Sequence, residues 1–410
     1  MSRRSRLLAL VALYAGQYLA TGLLFTLPVV LRQQGAPLEQ VGMVSLVNFA
    51  MIVKLVWAPL VDRHGSRRHG HYRTWLLATQ PLVALVLLAM VPLDVRGDFP
   101  VLLALTVALG LLTNTQDIAT DALAVRLIEP AHRGRANAIQ VGAGFFGSIC
   151  GLAGTLTVHE HFGWGWAVGS LAVLSLLPMA VIVALRGLAE VPGGQERPSW
   201  RSVGRLLSRP GVTPWMGAIV PLVWGGVMLP QALLGPLLVD RGWQLDVIGL
   251  LTSVLGGAAG IAGAALAGRY AGRVGRARVL AGSVALQALA TLGILPLIWS
   301  GSWPVAVIVV GVLGIARGVV NTVVFTVSMD LCRPGSAGSD FTLLASWGYA
   351  VAILASAAGP ALAGAAGYAT AAAAAVVLSL GGLACVRFLF VDGSAPGAEP
   401  VPAVETGSAQ

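Results

Sequence analysis

Charge is what this chain has least of. Asp, Glu, Lys and Arg make up 10% of its 410 residues, where an ordinary soluble domain carries about 25%. That scarcity excludes a cytosolic globular protein. Cysteine is almost missing too. Cys150, Cys332 and Cys385 fall in or beside apolar runs at no useful spacing, which excludes a disulfide framework and a thiolate metal site. Of six histidines, His64, His69 and His71 sit among loop arginines, and His159 and His161 flank Glu160. That H-E-H run lacks the i, i+4 histidine pair of a zinc-protease helix. No Walker loop, dinucleotide fingerprint or nucleophile elbow occurs, so the expected protein is no enzyme and needs no cofactor or metal.

Apolar residues fill the space instead. They are 56% of the chain, with 52 Gly and only 7% aromatics, and the mean hydropathy is +0.81. The natural solvent for such a chain is a bilayer, and the fold class expected is an all-α membrane protein. A crossing helix takes about 20 apolar residues. Twelve runs meet that need, at approximately 7–31, 41–61, 75–93, 99–127, 135–158 and 166–185, then 212–239, 247–270, 279–299, 303–329, 341–364 and 369–390. Ser2 to Arg6 imitates a signal-peptide n-region, but the apolar run after it is too long for a cleaved segment, so it reads as retained.

The net charge of +9 does not mark a nucleic-acid binder, because the basic residues lie in short loops between apolar runs. Their placement sets topology instead. With the N-terminus inside, 21 Lys and Arg fall inside, only Arg32, Arg96 and Arg241 fall outside, and Lys54 and Arg317 lie within spans. Both termini are therefore expected in the cytoplasm of a bacterial-type inner membrane. The longest polar interruption divides the chain into an N-terminal six-helix bundle at 1–186, a cytoplasmic linker at 187–211 and a C-terminal six-helix bundle at 212–391. The small, polar end at 392–410 is expected to be a disordered cytoplasmic tail.

The halves correspond. Shifted by 204 residues, Gly110 falls on Gly314, Leu127 on Leu331, Pro130 on Pro334, Gly134 on Gly338 and Asp117 on Asn321. A shift of 210 brings Arg63 and Gly65 onto Arg273 and Gly275. Two pseudo-symmetric six-helix bundles with a site between them are an architecture of secondary transporters. The loop Asp62-Arg63-His64-Gly65-Ser66-Arg67-Arg68 resembles the turn after span two of the major facilitator superfamily (MFS), with Ala58-Pro59 in place of the usual leading Gly. The strings Lys54 to Arg63, Trp75 to Gln80 and Thr115 to Val125 are similar to the AmpG-like branch, which holds muropeptide permeases and single-chain siderophore permeases of the RhtX/FptX type. AmpG-type permeases tend to be longer, and the short tail favours the siderophore branch. The resemblance implies twelve transmembrane helices in the MFS fold, with spans one, four, seven and ten around a central cavity.

An ionisable group in hydrocarbon costs at least about 2.5–3.5 kcal/mol on insertion scales, so each one needs a reason. Asn114, Asp117 and Asp121 lie three and four apart on one face of span four. Helical rise places Lys54 at a depth where it meets Asp121. These charges are the expected proton-coupling set: a carboxylate beside a cation stays ionised, and one that loses its partner takes a proton. A static ion pair that only fixes packing is the rival. Arg317 has no acidic neighbour in its span, and reads as an anchor for an anionic substrate or a partner for Asp117. Tyr14, Gln17, Tyr18 and Thr21 form a stripe in span one, Trp224 and Gln231 lie in span seven, Trp347 in span eleven and Asn321 in span ten. With Asn114, those that face the cavity are candidate substrate contacts, though aromatic residues also serve helix packing and membrane interfaces.

The gating motif is Asp62, Arg63, Gly65 and Arg67, whose carboxylate is suited to cap a neighbouring helix, such as span eleven after Asp340. Gly142, Gly144, Gly147 and Gly151 in span five, with Gly256, Gly257, Gly260 and Gly263 in span eight, read as surfaces on which the bundles rock. The function expected is an inner-membrane carrier, working as a monomer, that imports a siderophore or ferric siderophore by proton symport. A muropeptide permease or a drug or metabolite exporter of the same fold is the alternative. A membrane enzyme or a non-transporting sensor would leave the internal repeat unexplained. A mainly neutral sugar-peptide cargo would depend little on Arg317.

Overall fold

The computed structural model describes residues 3–36, 40, 43–44, 47–66, 68–129, 132–184, 200–333 and 336–390. The first half is carried by α1 (Arg3–Gln33), α2 (Ala58–Arg63), α3 (His71–Met90), α4 (Phe99–Leu127), α5 (Arg133–Ile149) and α6 (Trp164–Ser175). The second half is carried by α7 (Val220–Asp240), α8 (Gly256–Val274), α9 (Arg276–Leu292), α10 (Trp303–Leu331), α11 (Ala337–Ala366) and α12 (Tyr368–Leu389). Among the described residues, ten helical runs are long and apolar enough to cross a membrane. The other two of the twelve expected spans are helical but irregular. The second breaks into a 3₁₀ turn at Val47–Phe49, a turn of α-helix at Ala50–Val53, a 3₁₀ turn at Lys54–Val56 and then α2. The fifth continues from α5 through a π turn at Cys150–Gly154 into Thr155–Phe162.

The internal correspondence is visible in the backbone. α4 and α10 are each 29 residues long, each starts with Pro in its first turn, and their ends differ by the same 204 positions. Proline fits there because the first N–H groups of a helix have no partner to lose. Inside both helices, threonine hydroxyls return to the carbonyl one turn back, as at Thr113, Thr120, Thr322 and Thr326. In backbone shape, the counterpart of Gly275 is Gly70 rather than Gly65. Gly70 and Gly275 precede α3 and α9 with φ of 89° and 98°, a region that glycine enters at little cost.

Apolar side chains face outward as well as inward, as a chain solvated by lipid requires: Ile308 is 65% and Leu354 70% exposed. Lipid tails are as apolar as leucine, so close packing must hold the helices together. The glycines divide this work between two kinds of seam. Gly147 and Gly151 seat Tyr18 and the backbone of Gly22 on α1, within the first half, and Gly263 meets the backbone of Ile315 within the second. Gly257, Gly260 and Gly268 instead receive Ile149, Phe145 and Ala138 from the other half. Of the glycines expected to lie between the bundles, Gly257 and Gly260 of span eight are thus seen to touch the other half. Of the expected linker, residues 200–211 are described and include a short helix at Trp200–Leu207; the tail beyond 390 lies outside the described residues.

A Cβ at Gly151 would run into the backbone of Gly22, whereas one at Gly142 meets nothing within 4 Å. Overpacking typically costs about 1–3 kcal/mol. Gly151→Val should therefore lower the thermal unfolding midpoint of the detergent-purified chain by several degrees (an order-of-magnitude expectation), and Gly142→Ala should leave it within error.

Candidate functional site

The site begins where the second span fails to be a regular helix. The 3₁₀ turn at Lys54–Val56 ends at Trp57, whose φ of −108° and ψ of −1° leave helical geometry before α2 restarts with Pro in its first turn. Trp57 Nε1 donates to Thr115 Oγ1 at 3.1 Å and ties this break to α4. Lys54 is 1% exposed, and its ammonium pairs with the Asp117 carboxylate. Gln17 Nε2 donates to the other oxygen of Asp117, and the ring of Tyr349 lies 5.7 Å from the ammonium. The expected meeting of Lys54 with Asp121 does not occur. A 3₁₀ turn rises about 2.0 Å per residue against 1.5 Å in an α-helix, so the lysine stands further along the bundle than a continuous α-helix would put it.

Asp121, one turn away, is held differently. Its Oδ1 accepts from Tyr14 Oη at 2.8 Å and from Gln140 Nε2 at 3.0 Å, and it forms no ion pair among the described residues. Two carboxylates four residues apart thus have different partners, one a cation and the other two neutral donors. Sequence reasoning misses Gln140. Its one signal is a second amide three positions after Asn137 on the same span. Tyr349 is missed as well, because α11 turns it to a different side of the helix from Trp347.

Two cavities flank this network. The smaller, about 20 Å³, is lined by Gln17, Tyr18, Thr21, Asn114, Asp117 and Tyr349 among others. Asn114 Nδ2 is spent on the carbonyl of Gly110. The wider, about 260 Å³, is lined by Met228, Gln231, Thr252, Gly256, Arg317 and Ser356 among others. Arg317 Nη1 donates to Gln231 Oε1 at 2.9 Å, so its expected alternative partner, Asp117, is not the one it has. Four candidate contacts lie elsewhere, one of them Trp347, whose Nε1 donates to the carbonyl of Met216 at 2.8 Å. Tyr14 belongs to the Asp121 network. Trp224 is buried edge-on against Phe325 and Tyr349, at centroid distances of 6.2 and 6.4 Å. Asn321, the counterpart of Asp117, is outside both cavity linings, and its Oδ1 has no partner among the described residues.

The halves are latched at the Arg-rich end. Asp62 is 1% exposed and accepts from the backbone N–H of Gly338 and Ser339 at 3.2 and 2.7 Å, from Ser339 Oγ at 2.7 Å and from Tyr72 Oη at 2.9 Å. A carboxylate here satisfies the orphan amides and the positive end of α11. α11 starts three residues before Asp340, which is itself engaged by Arg333. Burial pushes the Asp62 carboxyl above the ordinary carboxylate range, and the hydrogen bonds from Ser339 and Tyr72 pull back against it. Arg63 is exposed, Gly65 packs against His71, and Arg67 lies outside the described residues. Arg133 of the first half adds a bond of 3.0 Å to Asp330 of the second, which Arg276 also engages.

Removing one member of a buried ion pair costs about 3–5 kcal/mol, because the other is left charged and dry. Lys54→Met should therefore destabilise the purified chain by that order. The double variant Lys54→Met with Asp117→Asn should regain most of the loss. Thermal unfolding of the four proteins gives the coupling directly.

Comparison with known proteins places the family and the fold. The family model of the Major Facilitator Superfamily matches residues 7–356, and again 228–409. A Rickettsia felis protein that bears the name AmpG 4 is 30% identical over 160 residues, which is 38% of this chain and 39% of that protein. The anhydromuropeptide permease of Escherichia coli K12 is 32% identical over 149 residues, 36% of this chain and 30% of the permease. The matches thus span well under half the length of these relatives. The crystal structure of the human organic anion transporter MFSD10 (TETRAN) superposes with a TM-score of 0.71 at 18% identity, covering 94% of this chain and 100% of that one, which speaks for the fold alone. The AmpG-like resemblance is supported by these relatives, and its siderophore refinement is not. The chain belongs to the Major Facilitator Superfamily.

Proposed function

We propose that this chain is a proton-coupled carrier of the AmpG type, importing a muropeptide-class solute across a bacterial inner membrane by alternating access. The observation that carries the coupling is the paired arrangement in α4. Asp117 is matched to Lys54, while Asp121 one turn away is held by two neutral donors. A cargo or proton that disturbs Lys54 changes the electrostatic surroundings of both carboxylates at once. The cargo class rests on the relatives named above. Siderophore import, implied by the same motifs, has no counterpart among them, and so the alternative weighed in the sequence becomes the main reading.

The latches are consistent with such a cycle. The contacts of Asp62 with α11 and of Arg133 with Asp330 close the Arg-rich end, and the wider cavity lies beyond them. If the Arg-rich end is cytoplasmic, as the positive-inside rule expects, these contacts close the cytoplasmic side. The reading keeps the chain a carrier rather than an enzyme, with both termini inside.

Uptake of radiolabelled anhydromuropeptide and a panel of ferric siderophores into right-side-out and everted vesicles, with and without a pH gradient, tests it. Gradient-driven accumulation of the muropeptide in right-side-out vesicles is expected. Asp117→Asn and Asp121→Asn should each abolish that accumulation when uptake is normalised to the amount of folded carrier in the vesicles. Accumulation of a chelate instead would restore the siderophore reading, and accumulation only in everted vesicles would make the protein an exporter. Undiminished accumulation in both variants would remove the coupling assignment.

A further inference from the structure

The coupling scheme leaves one intramembrane charge unused. Arg317 stands half-buried on α10, and no carboxylate lies within 4.0 Å of it among the described residues. Its Nη1 reaches Gln231 Oε1 at 2.9 Å, its guanidinium carbon lies 5.2 Å from the ring centroid of Phe145, and its Nε has no acceptor. A neutral amide and a ring face compensate a guanidinium far less than an anion does, because hydrogen bonds between ions are the stronger kind. Gln231 is itself aimed by a bond of 3.3 Å from its Nε2 to the carbonyl of Leu313, on the helix that carries Arg317. The two side chains make the polar corner of the 260 Å³ cavity.

We infer that this corner is a docking site for an anionic group, a carboxylate by preference, and that the transported solute carries such a group. The planar fork of Arg317 suits a carboxylate bidentately, and Gln231 holds the fork in place until the anion takes over. The volume suits the charged end of a solute rather than a whole sugar-peptide. Phe145 belongs to the first half and Arg317 to the second, so the site reports to both. An anion that neutralises the guanidinium weakens its attraction to the ring and loosens one contact between halves. The inference rests on the carrier reading only for its transport arm.

The first arm needs no cargo. In a chain with Cys150, Cys332 and Cys385 replaced by serine, Ser356→Cys places a thiol on the cavity wall, and Thr252→Cys serves if that chain fails to fold. Its labelling rate with the anionic sulfonatoethyl methanethiosulfonate is compared with that of the neutral hydroxyethyl reagent. Charged clefts raise local counter-ion concentration by about tenfold or more. Arg317→Gln should therefore lower the anionic-to-neutral rate ratio about tenfold by the same principle, and Arg317→Lys should preserve most of it. An unchanged ratio in Arg317→Gln overturns the site.

The second arm compares uptake of an anhydromuropeptide as free acid and as its C-terminal amide. Loss of uptake for the amide, and for the acid in Arg317→Gln, supports the docked carboxylate; equal uptake of acid and amide overturns it. If the wild type takes up neither form but the labelling ratio still falls, the muropeptide assignment fails and the anion site stands.

Discussion

A lysine and an aspartate taken out of water together set the terms for this structure. Each is costly alone in a bilayer core, and once paired, Lys54 and Asp117 tie the second span to the fourth at one depth. The backbone conforms to them. The second span gives up regular helix around Lys54, passes through a 3₁₀ turn and a break at Trp57, and restarts at a proline. Gln17 and Tyr349 then gather round the pair from α1 and α11. Because Asp117 is already engaged, Asp121 is left to Tyr14 and Gln140, and the asymmetry between two neighbouring carboxylates follows from a single pairing.

Charge is divided between the halves along the same logic. The first half holds the intramembrane carboxylates and their lysine; the second holds one arginine beside the wider cavity. Between them runs a seam in which glycines of α8 receive Ile149, Phe145 and Ala138. Such a seam allows close approach without interlocking side chains. The fastening is concentrated at the Arg-rich end, where Asp62 caps α11 and Asp330 joins Arg133 to Arg276.

Much of this is legible in the sequence, on physical grounds. The spans can be read because an apolar run of about 20 residues matches the thickness of a bilayer core. The shift of 204 residues survives as two helices of equal length with matching ends. The polar stripe of span four and the isolation of Arg317 are visible because charges in apolar runs are conspicuous. Depth across broken helices is not legible. The arithmetic that brings Lys54 to Asp121 does not resolve depth to within the turn that separates Asp117 from Asp121, and the 3₁₀ turn shifts the lysine about 1.5 Å further. Facing is also hidden. Trp224 lies in an aromatic cluster, Tyr349 and Gln140 reach the network, and glycines of one span serve different neighbours, all of which depend on packing partners from distant sequence. The motifs identify the AmpG-like branch, and the siderophore refinement comes from the short tail, a feature that carries no information about cargo.

The central claim is that cargo and protons move together through this bundle. It is tested most directly in proteoliposomes of the purified chain with a pH-sensitive dye trapped inside, by adding anhydromuropeptide outside without any imposed gradient. The account predicts that the interior acidifies as the cargo enters, in step with its uptake and not in its absence. Entry of the cargo with no change in internal pH would contradict it.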